Sequence, residues 1–597
     1  MKRILLILAA LLAFASCNPA KDPAENGPAD NPQQDAGTRP GEYVLPVIET
    51  TDIHGYIINT GNNVVHYRMA YVADKVKDIR GRGDEYSKDR LLLLDGGDLY
   101  QGASVSNMLS GMPIYMSMDL MDYDAVALGN HEFDWGFDNM VDPDATLLDF
   151  EWSGSSYVNE IPVLCANLYQ DGKRVSTTQD YCLLEKTAVG TDGATVKVKV
   201  GVIGFAVDYS GSIMTSKFIG SGYSIREDYS IANRIASELE SSGQCDATVL
   251  LIHGAGDRAA ECLGESSVID FVLGGHSHRT LSGRTGWGLP YLQGGRYCEH
   301  YASAEMKFSV NKEGKVRFIG VSKMSINPVD ANRDRRERAG QNAQDLEDDV
   351  VAVSDDALSA TARLRDEVIG YITVGATKYY LSGGGDRSAT VSNWMCDILR
   401  RIGEADVAFV NSGGIRTVLP LNGQSRRDVT IADVYELFPF DNATYVYRIT
   451  YADLVKLLEY SMTSAGKELF SRIIGIDCYY TQSQEYESPS GGKYREYFLQ
   501  SVRKDGTLIY NNGKWTGDWA SRTLLLAVSE YLATTQRDDY YRGLSNPLPE
   551  WNKTSRLLFN DLIDNMNAVR VLREEASASG GHLYIDTRPH FILAGER

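Results

Sequence analysis

Short apolar runs alternate with longer mixed segments along the first half of the chain. They stand at 44–50, 91–94, 124–128, 161–166, 196–205, 247–252 and 271–273. Several of them are continuous and rich in β-branched residues, which is typical of strands that are covered on both faces of a sheet. The pattern predicts an α/β domain over residues 43–330.

A second α/β pattern occupies residues 369–597. Its strand-like runs include 406–411 and 445–450, and residues 452–463 have the composition of a helix. Between the two patterns, residues 331–368 are charged and rich in helix formers, which predicts a solvated helical linker. The chain is therefore expected to form two domains joined by this linker.

The first residues have the features of an export signal. Two basic residues precede an apolar run at 4–14, which is too short to span a bilayer. Cys17 follows Ala-Ser and resembles the lipidated cysteine of a bacterial lipobox; a plain secretory peptide cut nearby is the alternative. We expect a lipoprotein signal peptide at 1–17, a flexible tether at 18–42, and an exported periplasmic or cell-surface lipoprotein that contacts the membrane through its lipid alone.

Charge and cysteine spacing exclude two kinds of protein. The 597 residues carry 59 Lys and Arg against 80 Asp and Glu, a formal net charge of −21. Such an acidic chain lacks the basic surface that nucleic acids require, so we expect no stable nucleic-acid partner. No CxxC pair is present, which argues against a thiolate zinc cluster. An anionic substrate stays possible wherever a bound metal reverses the local field.

Five short polar blocks follow apolar runs and contain typical metal-ligating side chains. In chain order they are Thr51-Asp52-Ile53-His54-Gly55, Leu94-Asp95-Gly96-Gly97-Asp98, Gly129-Asn130-His131-Glu132-Phe133-Asp134, Ile252-His253-Gly254 and Gly274-Gly275-His276-Ser277-His278. Because ligands commonly bind at the carboxyl edge of an α/β sheet, we expect these blocks to meet there. Carboxylate, imidazole and amide donors suit Zn, Mn or Fe, and two such ions would form a positive cavity that favours a phosphate ester.

The order of the five blocks resembles that of the calcineurin-like metallophosphoesterases. The form GNHEFDWG, followed by a second domain, is similar to the bacterial 5′-nucleotidases and the animal ecto-5′-nucleotidase. The resemblance implies an N-terminal four-layer αββα sandwich and a C-terminal α/β domain that binds the substrate.

The resemblance also implies two divalent metal ions, with the roles of the ligands carried over position by position. One ion would be held by Asp52, His54, Asp98 and His278, and the other by Asp98, Asn130, His253 and His276. His131, oriented by Asp134, would lie over the transferred phosphoryl group as the catalytic side chain.

Two motifs in the C-terminal half resemble the family's nucleotide-binding elements. The run from Asn411 to Arg416 resembles NxGGxR, and the run from Phe438 to Asn442 resembles PFxN, whose Phe, here Phe440, stacks on the base. The substrate-binding residues implied are Arg387, Asn411, Gly414, Arg416, Phe440, Asn442 and Tyr531. The family's late glycine-rich loop is replaced here by residues 529–540, so the resemblance does not specify the nucleotide.

The function implied is that of a 5′-nucleotidase-like phosphoric monoester hydrolase, in which a hydroxide held by the metals attacks phosphorus in line. The same metal site would serve 2′,3′-cyclic nucleotides, dinucleotides or nucleotide sugars, so these substrates stay open. A surface nucleotide-binding protein that has lost catalysis is the alternative of another class.

Overall fold

The structure is a computed structural model. It describes residues 39–61, 64–81, 87–134, 150–152, 155–157, 160–207, 222–329, 347–377, 390–411, 414–415, 417–438, 443–463, 472–487, 493–529, 532 and 556–594. The predicted signal peptide and most of the predicted tether lie outside these residues. Within the described ranges, no helix has the length and hydrophobicity needed to cross a bilayer.

Strands dominate the N-terminal half. They are β1 (Gly41–Thr50), β2 (Asn59–Gly61), β3 (Val64–His66), β4 (Leu92–Asp95), β5 (Ala125–Ala127), β6 (Phe150–Trp152), β7 (Ser155–Tyr157), β8 (Val163–Leu164), β9 (Leu168–Gln170), β10 (Lys173–Arg174), β11 (Tyr181–Gly190), β12 (Thr195–Ala206), β13 (Tyr223–Ile225), β14 (Ala247–His253), β15 (Phe271–Gly274), β16 (Thr280–Arg284), β17 (Pro290–Gly294), β18 (His300–Val310) and β19 (Val316–Pro328). The helices are α1 (Arg68–Arg80), α2 (Ser104–Met108), α3 (Met112–Leu120), α4 (Ser230–Ser241) and α5 (Gly256–Leu263). Each predicted strand corresponds to one of these strands.

Twelve strands of this half form one hydrogen-bonded sheet that folds into two facing layers, joined where β1 pairs with β11. Parallel strands β1, β4, β5 and β8 form one layer with antiparallel β18 and β19, and parallel β12, β14, β15 and β17 form the other with β11 and β16. Their inner faces share one apolar interior, to which Leu92 and Phe271 contribute. Helices α1 and α3 cover the outer face of the first layer, and α4 and α5 that of the second. The predicted four-layer αββα sandwich is therefore confirmed.

The described part of the predicted linker is a helix, α6 (Asp348–Arg365), that packs on the N-terminal half. Val350, Val351 and Ala357 join the apolar cluster under α1 and α3, and Tyr67 donates its hydroxyl hydrogen to the Asp355 carboxylate at 2.6 Å. The expectation of a solvated helix is wrong for this face. The small apolar side chains repeat at helical spacing, a signal that the surrounding charges masked.

The C-terminal half is built on two five-stranded sheets. Its strands are β20 (Val368–Ile372), β21 (Val407–Phe409), β22 (Arg427–Thr430), β23 (Ala443–Thr450), β24 (Ile473–Ile474), β25 (Asp477–Gln482), β26 (Tyr486–Glu487), β27 (Lys493–Tyr494), β28 (Tyr497–Lys504), β29 (Thr507–Asn511), β30 (Lys514–Trp515), β31 (Thr523–Ser529), β32 (Arg556–Ile563) and β33 (Phe591–Leu593). Its helices are α7 (Thr390–Ile402), α8 (Ile431–Leu437), α9 (Tyr451–Ser461) and α10 (Asp564–Ser579). The sheet β24-β21-β31-β23-β32 packs against α7, α8 and α10 on one face. On its other face it packs against α9 and the sheet β30-β29-β28-β25-β33.

Candidate metal centre and catalytic site

The seven predicted metal ligands lie where strands of the two facing layers end. Asp52 and His54 follow β1, Asp98 follows β4, and Asn130 follows β5. On the second layer, the ligands come from the end of β14 and the loop after β15; they are His253, His276 and His278. Most of these side chains are buried, so the fold gathers polar groups that have little access to water.

The structure brings the ligands together as two groups that share one carboxylate. Asp52, His54, Asp98 and His278 form the first donor group, and Asp98, His253 and His276 form the second. Within each group the donor atoms all lie within 4.8 Å of one another. The amide oxygen of Asn130 lies 3.2 Å from His253 Nε2, which places Asn130 at the second group. These are the two sets that the resemblance implied.

The imidazole tautomers fit a metal. His54 Nδ1 donates to the carbonyl of Gln101 at 2.8 Å, and His253 Nδ1 donates to the carbonyl of Gly96 at 2.6 Å. With Nδ1 carrying the hydrogen, Nε2 presents a lone pair to the interior of the site, as a metal ligand must. His54 Nε2 lies 3.1 Å from His278 Nε2, which lies 3.2 Å from Asp52 Oδ1, so potential ligand atoms of the first group converge.

The negative charge of Asp98 also favours a bound cation. Burial raises the pKa of Asp98, but the neighbouring imidazoles, His253 first among them, outweigh burial and hold the pKa well below its usual value. Burial lowers the pKa of His253, and the Asp98 carboxylate, 3.1 Å from Nε2, reverses this and raises the pKa to about 10. A divalent ion between these groups would displace that proton, since metal binding requires deprotonated ligands.

Five of the seven predicted ligands adopt left-handed backbone conformations although none of them is glycine. Their φ angles are 52° at Asp52, 49° at His54, 60° at Asp98, 65° at His276 and 57° at His278. Such conformations cost about 1–3 kcal/mol each and persist where the surrounding structure enforces them. These are five of the fifteen non-glycine residues with positive φ in the described part of the chain, which supports a functional site at this edge of the sheets.

Hydrogen bonds from neighbouring residues fix the carboxylates of the site. Asp52 Oδ2 accepts from the hydroxyl of Thr51 at 2.7 Å and from the backbone N–H of His276 at 2.9 Å. Asp98 Oδ1 accepts from the backbone N–H of His131 at 2.9 Å. One oxygen of each carboxylate is thus occupied by a donor, and the other is directed towards the imidazoles.

Glu132 holds the loops that carry the ligands. Its carboxylate accepts backbone hydrogen bonds from Gly129 at 2.7 Å, Leu99 at 2.8 Å and Asp98 at 3.1 Å. Burial and the Asp98 charge raise its pKa to about 7. A Cβ atom on Gly129 would lie 2.3 Å from Asp98 Oδ1, so only glycine permits this close approach of the two loops.

Replacement of Glu132 is expected to lower the free energy of unfolding. Because Glu132→Ala leaves three buried N–H groups without their acceptor, we expect a loss of about 3 kcal/mol or more in the free energy of unfolding. Glu132→Gln keeps the shape and one oxygen, and should lose less. Urea unfolding of the metal-free proteins measures both, and a loss below about 1 kcal/mol for Glu132→Ala would contradict the bracing role.

The predicted catalytic pair is also in contact. His131 Nδ1 lies 2.7 Å from Asp134 Oδ2, and both side chains are buried by nine-tenths or more. The His131 ring centroid is 5.1 Å from that of His54, which places the imidazole beside the first donor group. A carboxylate on Nδ1 holds such a ring in one orientation.

The predicted substrate-binding residues are only partly described. Asn411 is buried directly after β21, and its carbonyl accepts from the backbone N–H of Gly414 at 3.2 Å, which closes a turn. Five others lie outside the described residues, and their roles stay predictions: Arg387, Arg416, Phe440, Asn442 and Tyr531. Asn393, near the predicted Arg387, donates to the carbonyls of Asp586 and Arg588 and so ties α7 to the C-terminal segment.

The αββα sandwich and this donor set agree with the predicted resemblance to the calcineurin-like phosphoesterases. The resemblance to the 5′-nucleotidases within that class is confirmed. Residues 368–507 match the family model described as 5′-nucleotidase, C-terminal domain.

Relatives and solved structures agree with this assignment. The snake venom 5′-nucleotidase of Naja atra is 25% identical over 74% of this chain and 83% of its own length. The trifunctional nucleotide phosphoesterase protein YfkN of Bacillus subtilis is 22% identical over 76% of this chain, which spans 31% of that relative. The 5′-nucleotidase precursor of Thermus thermophilus has the same fold, with a TM-score of 0.62, 16% identity, and coverage of 93% of this chain and 100% of its own.

Proposed function

We propose that this chain is a metal-dependent phosphohydrolase that removes phosphate from nucleotides, with two divalent ions of Zn, Mn or Fe bound at the two donor groups. The observation that carries the proposal is the sharing of Asp98 between both groups. When bound, two such ions stabilise the charge of a transferred phosphoryl group and lower the pKa of the attacking water. The resemblance of the C-terminal half to the 5′-nucleotidases supports a nucleotide as the substrate.

In this proposal the chain's own residues orient the reaction. Asp98 lies between the two groups and sets their separation, while Glu132 braces the loops that carry them. His131, carrying a hydrogen on both ring nitrogens, would contact the phosphoryl group through Nε2–H and transfer that proton to the leaving oxygen, while Asp134 accepts from Nδ1–H and stabilises the imidazolium. The buried walls exclude water, which strengthens each of these electrostatic contacts.

Product analysis across a substrate panel tests the proposal. The full chain, stripped of metal and reloaded with Mn²⁺ or Zn²⁺, is assayed with AMP, UMP, ATP, UDP-glucose, 2′,3′-cyclic AMP and bis-p-nitrophenyl phosphate. Metal-dependent phosphate release from the monophosphates is expected. Hydrolysis confined to the diesters would indicate that the substrate is a cyclic nucleotide or a dinucleotide. No hydrolysis with two ions bound would favour a binding protein and contradict the proposal.

We further propose that Phe440 and Tyr531 hold the base of the nucleotide. Stacking on an aromatic face contributes about 1–3 kcal/mol, so Phe440→Ala or Tyr531→Ala should raise KM for AMP about tenfold or more. The KM for p-nitrophenyl phosphate, which has no base, serves as the control and should change little. Equal increases in KM for both substrates would contradict a role of Phe440 and Tyr531 in binding the base.

We also propose that the chain is exported and anchored through a lipid on Cys17. The lipobox-like Ala-Ser-Cys sequence supports this, and the relatives include snake venom 5′-nucleotidases. Palmitate labelling in a bacterial host should mark the full chain and be lost in Cys17→Ser. Equal labelling of both proteins would contradict a lipid at this cysteine.

A further inference from the structure

The turn between β17 and β18 is strained at two consecutive residues. Tyr297 has a φ of 55° and Cys298 a φ of 50°, and neither is glycine. Two adjacent side chains in the left-handed region require a surrounding structure that enforces them, and such strain collects at functional sites. The turn lies next to the metal centre, but none of the proposed catalytic roles involves it.

Two backbone hydrogen bonds hold Tyr297 against the site. Its N–H donates to the carbonyl of Asp52 at 2.7 Å, and its carbonyl accepts from the guanidinium of Arg68 at 2.6 Å. Arg68 is buried, and its other terminal nitrogen lies 3.9 Å from Glu299. The strained backbone is thereby tied on one side to a ligand-bearing residue and on the other to α1.

The Tyr297 ring packs edge-on against two predicted ligands of the first donor group. Its centroid lies 5.6 Å from the ring of His54 and 5.6 Å from the ring of His278, at interplanar angles of 68° and 67°. The two imidazoles are themselves 5.1 Å apart, so the three rings form a closed triangle. Edge-to-face contacts of this kind are directional and restrict ring rotation.

Other neighbouring side chains also contact the Tyr297 ring. The ring of Tyr56 lies 4.6 Å away, and the guanidinium carbon of Arg296 lies 4.9 Å from the Tyr297 centroid. Arg68 lies 5.6 Å from the Tyr56 ring. A tilted aromatic contact and cation–π contacts from neighbouring residues therefore limit the positions that Tyr297 can take.

We propose that Tyr297 is a positioning residue for the metal ion of the first donor group. Its ring orients His54 and His278 so that their Nε2 atoms converge, 3.1 Å apart, and its N–H holds the backbone of Asp52. Tyr297 thus contacts three of the four members of that group. The inference rests on the proposed function only in requiring that a divalent ion binds there.

Calorimetric titration of the metal-free full chain with Mn²⁺ tests this role. Wild type should bind two ions. Tyr297→Ala and Tyr297→Gly should keep one site at wild-type affinity and bind Mn²⁺ about 10–100 times more weakly at the other, the usual effect of losing a residue that orients metal ligands. The glycine variant also relieves the φ strain, so it separates the role of the ring from that of the backbone.

Two further variants distinguish positioning from packing. Tyr297→Phe retains the ring and should bind both ions as wild type does. Tyr301→Ala is the matched control: it removes a half-buried tyrosine four residues away that packs in the cluster under α1. Electron paramagnetic resonance is then recorded with one equivalent of Mn²⁺ added for each tight site. Wild type should show a spin-coupled Mn²⁺ pair, and the Tyr297→Ala and Tyr297→Gly variants should show the signal of an isolated ion.

Unchanged affinity at both sites in Tyr297→Ala and Tyr297→Gly would overturn the inference. Equal weakening of both sites, shared by Tyr301→Ala, would overturn it too, because loss of packing alone would then explain the effect. Failure of the wild type to bind Mn²⁺ would instead overturn the proposed function, and the inference with it, so the two failures are distinguishable.

Discussion

Replacement of Asp98 by asparagine is expected to lower kcat/KM at least about 10³-fold, since stabilisation of the transition-state charge by the ions amounts to several kcal/mol and each 1.36 kcal/mol is worth tenfold in rate. Asp98 is the one residue present in both donor groups. Its Oδ2 lies 3.1 Å from His253 Nε2 and 3.7 Å from His54 Nε2. Asparagine keeps the shape and removes the charge, so bound metal should fall below two ions per chain.

Asp95→Asn is the matched control for this experiment. Asp95 is equally buried and lies three residues away, but it accepts from the Thr50 hydroxyl at 2.6 Å and the Gly97 N–H at 2.7 Å, and it belongs to neither donor group. This variant should retain both metals. An Asp98→Asn protein that holds two ions and stays within tenfold of wild-type activity would contradict the shared role of Asp98.

Replacement of His131 by alanine is expected to lower kcat by about 10²–10⁴-fold with metal content unchanged. The residue lies outside both donor groups, but its ring is 5.1 Å from His54 and is fixed by Asp134. The change therefore removes a group that contacts the phosphoryl group and spares those that hold metal. Kinetics and metal analysis on the same preparation measure both effects.

The leaving group separates the two tasks assigned to His131. A proton donor matters most when the leaving oxygen is strongly basic, as in AMP, and least for p-nitrophenyl phosphate. A smaller loss with the aryl ester would therefore identify proton donation, whereas equal losses would identify charge stabilisation alone. Asp134→Asn should reduce kcat by a smaller factor, because it disturbs only the tautomer and orientation of the ring. An unchanged kcat in His131→Ala would contradict a catalytic role for this residue.

The strand pattern was sufficient to predict that the candidate ligands meet at one edge of the sandwich, because each of them follows a strongly apolar strand; their division into two sets came from the resemblance. Asp52 and His54 come directly after β1, and His253 ends β14, so the strand pattern alone brings them to one edge of the sandwich. Parallel strands covered on both faces have a continuous apolar sequence, which distinguishes them from the polar segments around them. The pairing of His131 with Asp134 was implied by the resemblance, and the structure brings the two side chains into contact within one short turn.

Contacts between distant segments were beyond the reach of sequence patterns. Tyr297 meets His54 and His278 only because a strained turn between β17 and β18 folds over the site, and no motif marks that turn. The backbone bonds of Glu132 depend on how two loops approach each other. The buried face of α6 was hidden among charges. Each of these features depends on tertiary packing, which local patterns do not encode.

Anomalous diffraction from crystals of the Mn²⁺-loaded protein shows whether two ions bind on either side of Asp98. Two anomalous peaks are expected about 3.5–4 Å apart, the usual separation in two-metal sites, with the Asp98 carboxylate between them. One peak should be bound by Asp52, His54 and His278, and the other by Asn130, His253 and His276. A single peak, or two peaks that Asp98 does not bridge, would contradict a two-metal phosphohydrolase.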